Sequence, residues 1–519
     1  MSDATNSGLD PAFKRDSADA VSASRAADPY GMNATDGVSV SGLRGRSTGN
    51  TYTSADTDSK EQAGTPDDGG NSGNSGDGSD GHGGDAHAGG PSSGHTQKQD
   101  YGHAAGHPGG HPGSHAGRNF PVVRQIRHDL SKKPFIAIWE VTRACALVCK
   151  HCRAEAQKKA APGQLTTQQG KELLRQLAGY EPPRPLVVLT GGDCFERPDL
   201  VELVQFGTDL GLSISISPSV TPKFTRERVQ ALRDAGGKAM SVSMDGASAQ
   251  THDAFRGIPG TFAKTLEATK IINEVGFRLQ INTVLTRDNI HEAPAMLKRA
   301  IDLKAFMWYV FFLVPTGRGQ ALKGMTPRER EDVLHWLHDV SDRIAIKTTE
   351  GPQYRRVAFQ RANGEPFNPG ELYQWLTEET VRILGEHPVH PRRPRTPLAI
   401  NSGSGFVFID HVGDVYPSGF LPIHVGSVKE RSLPDLYENS QIMRDLRTPA
   451  KLGGKCGACE YNHFCGGSRS TAYALFHDAL AADPTCLHVP KEYDGPMPEG
   501  WSDEVLPLPF PNKHPVPAK

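Results

Sequence analysis

The run Phe135-Ile-Ala-Ile-Trp-Glu140-Val-Thr-Arg-Ala-Cys145-Ala-Leu-Val-Cys149-Lys-His-Cys152 decides how this chain is read. Its first half, Phe135 to Val141, is apolar enough for a buried strand. Three cysteines follow at the spacing C-x3-C-x2-C. Three thiolates so placed can hold three irons of a [4Fe–4S] cluster. Proteins that only carry electrons on such a cluster normally supply four cysteines. A three-cysteine loop therefore leaves one iron open to a substrate or cofactor. The loop sits at the C-terminal end of a strand, where α/β barrels place their chemistry. A zinc knot is the competing reading. It wants a fourth local ligand, which His151 could supply.

Working outward, residues from Pro134 on alternate between short apolar runs and amphipathic segments. Strands are expected at 134–141, 186–190, 212–216, 239–244, 278–285 and 307–314. Helices are expected at 167–179, 198–210, 225–235, 261–275 and 290–303. Thr166 and Gln169 are placed as a capping box. Gly236–Gly237 and Gly276 are placed as helix stops. Six β-then-helix units imply a parallel sheet with right-handed crossovers. Six units do not close an eight-fold barrel, so the expected fold is α/β: an open (β/α)6 partial TIM barrel.

The first 117 residues differ. They are rich in Gly, Ser and Asp, poor in aromatic and branched residues, and hold 15 acidic against 7 basic residues. Such a segment cannot bury enough apolar surface to offset its ordering entropy, and it reads as a disordered tail. It carries His82, His87, His95, His103, His107, His111 and His115. Weak metal binding and a solvated linker are both open readings of these. Net charge is −2, so nothing global points to nucleic acid. No apolar run reaches the ~18 residues of a spanning helix, and the N-terminus lacks signal-peptide features. Seven of the eight cysteines form two clusters, which reads as metal ligation in a reducing compartment, the cytoplasm.

The second cluster is Cys456, Cys459, Cys465 and Cys486, at C-x2-C-x5-C-x20-C. Four thiolates so spaced could hold another [4Fe–4S] cluster or a structural zinc. Three strand ends carry further polar candidates. Strand two ends Thr190-Gly191-Gly192-Asp193. Strand four reads Ser241-Val-Ser243-Met-Asp245, followed by Thr251-His252-Asp253-Ala-Phe255-Arg256-Gly257. Strand five carries Asn282. Glycines let backbone groups approach a ligand closely. A tight turn and ordinary polar strand ends are the bland readings.

The C-x3-C-x2-C loop, the Gly-Gly-Asp after the next strand and the His-Asp-x-x-Arg-Gly segment together resemble the radical S-adenosylmethionine (SAM) superfamily, over roughly 134–490. The resemblance implies that Cys145, Cys149 and Cys152 hold the SAM-binding cluster. It implies SAM contacts at Gly191, Gly192, Asp193, Ser243, Asp245, Arg256 and Asn282. It implies reductive cleavage of SAM to a 5′-deoxyadenosyl radical that abstracts a substrate hydrogen. A ferredoxin- or flavodoxin-type reductant would feed it.

The C-terminal cysteines resemble the SPASM or twitch extension, so Cys456, Cys459, Cys465 and Cys486 would hold one auxiliary [4Fe–4S] cluster. Ser418 and Ser468 stand where relatives carry cysteine, which argues against a second. The segments Tyr416-Pro-Ser-Gly-Phe-Leu-Pro422 and Cys465-Gly-Gly-Ser-Arg469 resemble the haem d1 and alternative haem b subgroup. A tetrapyrrole side chain is then the expected substrate. A peptide is the alternative substrate, and a non-enzymatic iron–sulfur or metal-handling protein the third reading. Arg355, Arg356, Arg361, Arg392, Arg393 and Arg395 are available to substrate carboxylates or make up a solvated linker. Cys194 reads as a small buried residue. No catalytic residue is named. The expected domains are the tail 1–117, a barrel 134–320, a helical linker region 321–400, a cluster domain 401–490 and a Pro-rich tail 491–519.

Overall fold

The computed structural model describes residues 123–124, 126–504 and 506. The histidine-rich segment lies outside them. The six expected strands form: β1 (Ile136–Glu140), β2 (Leu186–Thr190), β3 (Ser213–Ile216), β4 (Ala239–Ser243), β5 (Arg278–Leu285) and β6 (Met307–Phe312). They pair in parallel in chain order. Between them lie α1 (Thr167–Ala178), α2 (Leu200–Asp209), α3 (Arg226–Asp234), α4 (Ala249–Arg256), α5 (Thr261–Val275) and α6 (Ala293–Asp302). The Thr166–Gln169 capping box starts α1. Gly276, at φ +86°, stops α5 in the left-handed conformation that glycine adopts at least cost.

The sheet runs beyond six strands. β7 (Ile346–Thr349) pairs in parallel with β6. Its sequence, Ile-Lys-Thr-Thr, has no apolar run to announce it. From the C-terminal part, β8 (Asn401–Ser402), β9 (Gly405–Ile409), β10 (Asp414–Tyr416) and β11 (Gly426–Ser427) add on the other side, with β9 parallel to β1. The strand path is β11-β10-β9-β1-β2-β3-β4-β5-β6-β7. Its two ends do not pair among the described residues, so the barrel stays open. The segment expected as a helical linker holds β7 with α7 (Pro327–Asp339), α8 (Gln353–Ala362) and α9 (Glu371–Leu384). Four further helices follow: α10 (Leu433–Asn439), α11 (Gln441–Leu446), α12 (Gly454–Gly457) and α13 (Arg469–Phe476).

Strand alternation divides the sheet's two faces. One face is fully buried against the helices: Trp139, Val187, Leu189, Ile214, Ile216, Ile281 and Trp308. The packing there is tight. A Cβ on Gly170 of α1 would meet the Trp139 ring at 2.6 Å, so only glycine lets the helix close on the strand. The other face carries Thr190, Ser213, Ser215, Ser243, Gln280, Asn282 and Tyr309, all half-buried. A half-exposed polar face inside an open barrel is a binding surface rather than a core. Among the described residues no helix is long and apolar enough to cross a membrane.

Candidate active site

The cysteine loop leaves the end of β1 and is caged by glycines after β2, at the end of α4 and after β6. A Cβ on Gly191 would meet the Thr142 carbonyl at 2.5 Å, and one on Gly192 the Ala144 carbonyl at 2.5 Å. Gly192 N and Asp193 N donate to Thr142 O and Ala144 O at 2.8 and 2.7 Å. These glycines thus admit the loop's own backbone. Gly257, which ends α4 at φ +73°, does the same for Val148. Gly317, after β6, does it for Cys152 and Arg153. Cys145 and Cys149 pack with Leu147 in a small apolar cluster, with Cys152 at its edge. Burial pushes the Cys145 thiol up to about 11, as expected for a thiol that needs a cation to ionise it.

Beside the loop lies a small pocket that brings Leu147, Ser219, Ser243, His252 and Arg256 together. Arg256 closes α4, with Nη1 3.7 Å from the Cys149 sulfur and Nη2 2.5 Å from Asp245 Oδ2. Asp245 is fully buried. Burial opposes its ionisation, but Arg256, His151 and His252 outweigh that and hold the carboxyl below its usual range. The two residues expected as separate ligand contacts are therefore one buried ion pair. Asn282 lies opposite Ser243 in the β4–β5 register and accepts from Gln280.

Asp193 is placed differently from expectation. It is fully buried, with Oδ1 accepting from Phe195 N and Ser219 N and Oδ2 from the Thr221 hydroxyl. It holds the loop after β3 and does not line the cavity. Ser219, on that loop, does line it, and stands 3.7 Å from the Cys145 sulfur while donating to Gly192 O. The polar run Ser217-Pro-Ser219 at the end of a predicted strand was the signal for it. Arg318 is a second residue the motifs did not single out. Its backbone N donates to Cys152 O, while Nε and Nη2 are buried without a hydrogen-bond partner among the described residues. Cys194 is fully buried, as expected.

The second cysteine group converges on another cavity. Cys456, Cys459, Cys465 and Cys486 line it with Arg356, Lys455 and His488. The linker reading fails for Arg355 and Arg356, which are buried on α8. Lys455 Nζ donates to Cys486 O at 2.5 Å, Arg355 donates to Cys465 O, and Arg469 Nη2 stands 3.6 Å from the Cys456 sulfur. Four buried cations around four thiols suit an anionic centre. Burial pushes Cys459 up to about 12 and Cys486 further still. Cys459, Glu460 and His488 also bring potential ligand atoms within 4.8 Å of one another. Ser418 and Ser468 meet a shared partner. Both hydroxyls face the Glu350 carboxylate, at 3.4 and 2.5 Å, with Ser470 at 2.9 Å.

Residues 139–300 match the family model of the radical SAM superfamily. The chain is 36% identical to the AdoMet-dependent heme synthase of Methanosarcina barkeri, over 70% of this chain and 98% of that protein. The chain belongs to the radical SAM superfamily. It is also 38% identical to the AdoMet-dependent heme synthase of Oleidesulfovibrio alaskensis, over 68% of this chain and 87% of that one. The peptide-bound structure of SuiB from Streptococcus suis shares the fold: TM-score 0.51, 16% identity, covering 69% of this chain and 76% of that one. This radical SAM chain is accordingly an enzyme, and membership implies a [4Fe–4S] cluster and SAM. The residues fit them. Three thiols are held in one loop, Arg256 faces a sulfur, and Arg318 keeps unpartnered donors beside that loop.

Proposed function

We propose that this radical SAM enzyme acts on a carboxylate-bearing side chain of a tetrapyrrole. The observation that carries the reading is 36% identity across nearly the whole length of an AdoMet-dependent heme synthase. In this reading Cys145, Cys149 and Cys152 hold the SAM-binding cluster. When bound, cluster and SAM supply an oxidant that takes a hydrogen atom from an unactivated C–H bond. The chain's own residues orient and shield. Arg256, fixed by Asp245, presents its remaining donors to the SAM carboxylate. Ser243, Ser219 and Asn282 offer hydroxyl and amide groups. Gly191 and Gly192 act by seating the cysteine loop, and Asp193 by seating Ser219. The buried walls around Leu147 exclude water.

The four C-terminal cysteines hold one auxiliary [4Fe–4S] cluster. The cations Arg355, Arg356, Lys455 and Arg469 support this assignment. The Ser418–Glu350–Ser468 contacts support the absence of a second cluster. A ferredoxin- or flavodoxin-type donor in the cytoplasm supplies the electron.

The test is 5′-deoxyadenosine formation by reduced, anaerobically reconstituted protein with a panel of carboxylated porphyrins. A rise with one tetrapyrrole is the expected result. Slow cleavage indifferent to the whole panel would move the substrate to a peptide.

A further inference from the structure

Between its thiols the cysteine loop alternates. Cys145, Leu147 and Cys149 are buried, while Ala146, Val148 and Lys150 are exposed. Val148 is 49% exposed, one of five large apolar side chains left so open among the described residues. It stands against Gly257, where an added Cβ would meet it at 2.6 Å. Past Gly257, Pro259 is exposed and the half-buried Ile258 packs against the cysteine group. The thiols of Cys145 and Cys149 therefore lie directly behind a patch of open apolar surface.

Cations frame that patch. Residues 141–160 hold Arg143, Lys150, Arg153, Lys158 and Lys159 against one acid, Glu155, in a chain whose net charge is −2. The local excess is therefore not a reflection of overall composition. Arg143 is tied to Ala154 O and Arg153 to Glu140. Lys150, Lys158 and Lys159 are exposed and have no ion pair among the described residues. Lys150 is two residues from Val148. Lys158 and Lys159 are brought to the loop by a parallel bridge between Ala144 and Gln157, with Cys145 N donating to Gln157 O at 2.8 Å. Both segments leave that bridge in the same direction, so the two lysines follow Gln157 as Cys145 and Ala146 follow Ala144.

The other sides of the loop are taken. Gly191, Gly192 and Gly317 press on its backbone, and Ser219 and Arg256 face its sulfurs from the pocket. A partner that must approach the thiols from solvent is left with the face of Val148.

We infer that Val148 and Pro259, rimmed by Lys150, Lys158 and Lys159, form the docking surface for a small acidic electron-carrier protein. An apolar centre with a charged rim is the anatomy of a protein interface, and lysines of one sign steer an acidic partner onto it. One electron leaves the carrier and enters the cluster. The carrier is oxidised, the cluster is reduced, and no bond is formed or broken. The inference rests on Cys145, Cys149 and Cys152 holding the SAM-binding cluster, and adds where its electron enters.

The test uses the reconstituted full chain with a flavodoxin, an acidic flavin protein. Binding is followed by interferometry, and contacts by carbodiimide cross-linking with peptide mapping. Cleavage of SAM is driven either by reduced flavodoxin or by dithionite. Wild type should bind flavodoxin, more weakly at high salt, and cross-link to it through Lys150, Lys158 or Lys159. The double variant Lys158→Glu and Lys159→Glu should bind about tenfold more weakly and slow flavodoxin-driven cleavage, with dithionite-driven cleavage unchanged. Lys150→Gln should act in the same direction, less strongly. Dithionite is the control for fold and cluster. Unchanged binding in both variants would overturn the surface and leave the cluster assignment standing. So would cross-links from these lysines only to the chain's own carboxylates or to a second copy. A wild type that dithionite drives but flavodoxin does not bind would overturn it too. A wild type that not even dithionite drives would overturn the cluster assignment, and the surface with it.

Discussion

The two cysteine sites differ in what surrounds them. The N-terminal loop offers three thiols, Arg256 already paired with a carboxylate, Arg318 at its edge, and a pocket at its side. The C-terminal site offers four thiols with four buried cations near them, one of which, Arg356, is paired with Glu331. In the proposed reading the first keeps a position open and the second is complete. Thiol count alone suggests this division, and the charges around each site agree with it. Open sites serve ligands, and closed ones store charge or structure.

The sharpest way to break the comparison is Cys149→Ala. It should abolish 5′-deoxyadenosine formation and remove about four irons per chain, leaving about four at the C-terminal site. Iron and zinc analysis with the cleavage assay checks this. Retained cleavage would end the assignment, and one zinc in place of the residual iron would make the closed site structural.

Next in size are the buried ion pairs. Arg256→Ala removes the 2.5 Å partner of Asp245, whose remaining ion-pair partner is His151 at 3.9 Å, and Arg356→Ala removes the 2.5 Å partner of Glu331, whose remaining ion-pair partner is His335 at 3.3 Å. Each should cost about 3–5 kcal/mol in urea unfolding. Only Arg256→Ala should also weaken SAM binding.

A pH effect separates the sites further. Burial, then Arg256, lowers His252 to about 4 from an ordinary 6.5. The unfolded chain therefore binds the extra proton first. Stability should be full above about pH 6.5 and fall as pH drops toward 4, by at most about 3 kcal/mol from this group. Melting temperatures across that window should fall less in His252→Gln. An equal slope would place the titration elsewhere.

The smallest expected effect is Ser418→Ala. Glu350 keeps Ser468 and Ser470, so the loss should be about 1 kcal/mol. Ser468→Ala should cost more in the same denaturation assay, because that hydroxyl also caps α13 through Thr471 N.

Much of the fold was legible because period-2 and period-3.6 patterns are local. The six strands and five of the helices between them lie where the pattern puts them. Besides the C-terminal elements β8–β11 and α10–α13, which were given no bounds, two elements of the barrel escaped. α4 is only eight residues long and hides inside a motif, and β7 has no apolar run. The pairing of β9 with β1 could not be read, since it joins segments some 270 positions apart. At the sites, the cysteines were legible from spacing. Ser219 left only the weak signal of a polar run after a strand and Arg318 left none, because each matters for what it approaches in space. The glycines were singled out for the right property, close approach, but what approaches them is the cysteine loop.

By itself the sequence determined the order of the first six strands and five of their helices, an open barrel and two cysteine groups of different count, because periodicity and thiol spacing are local properties of the chain. Only the tertiary structure decided that Asp245 and Arg256 form one pair and that Asp193 supports a loop. Those outcomes depend on which strand ends meet. That is set by packing over the whole sheet, where a carboxylate or cation binds whatever burial brings within reach.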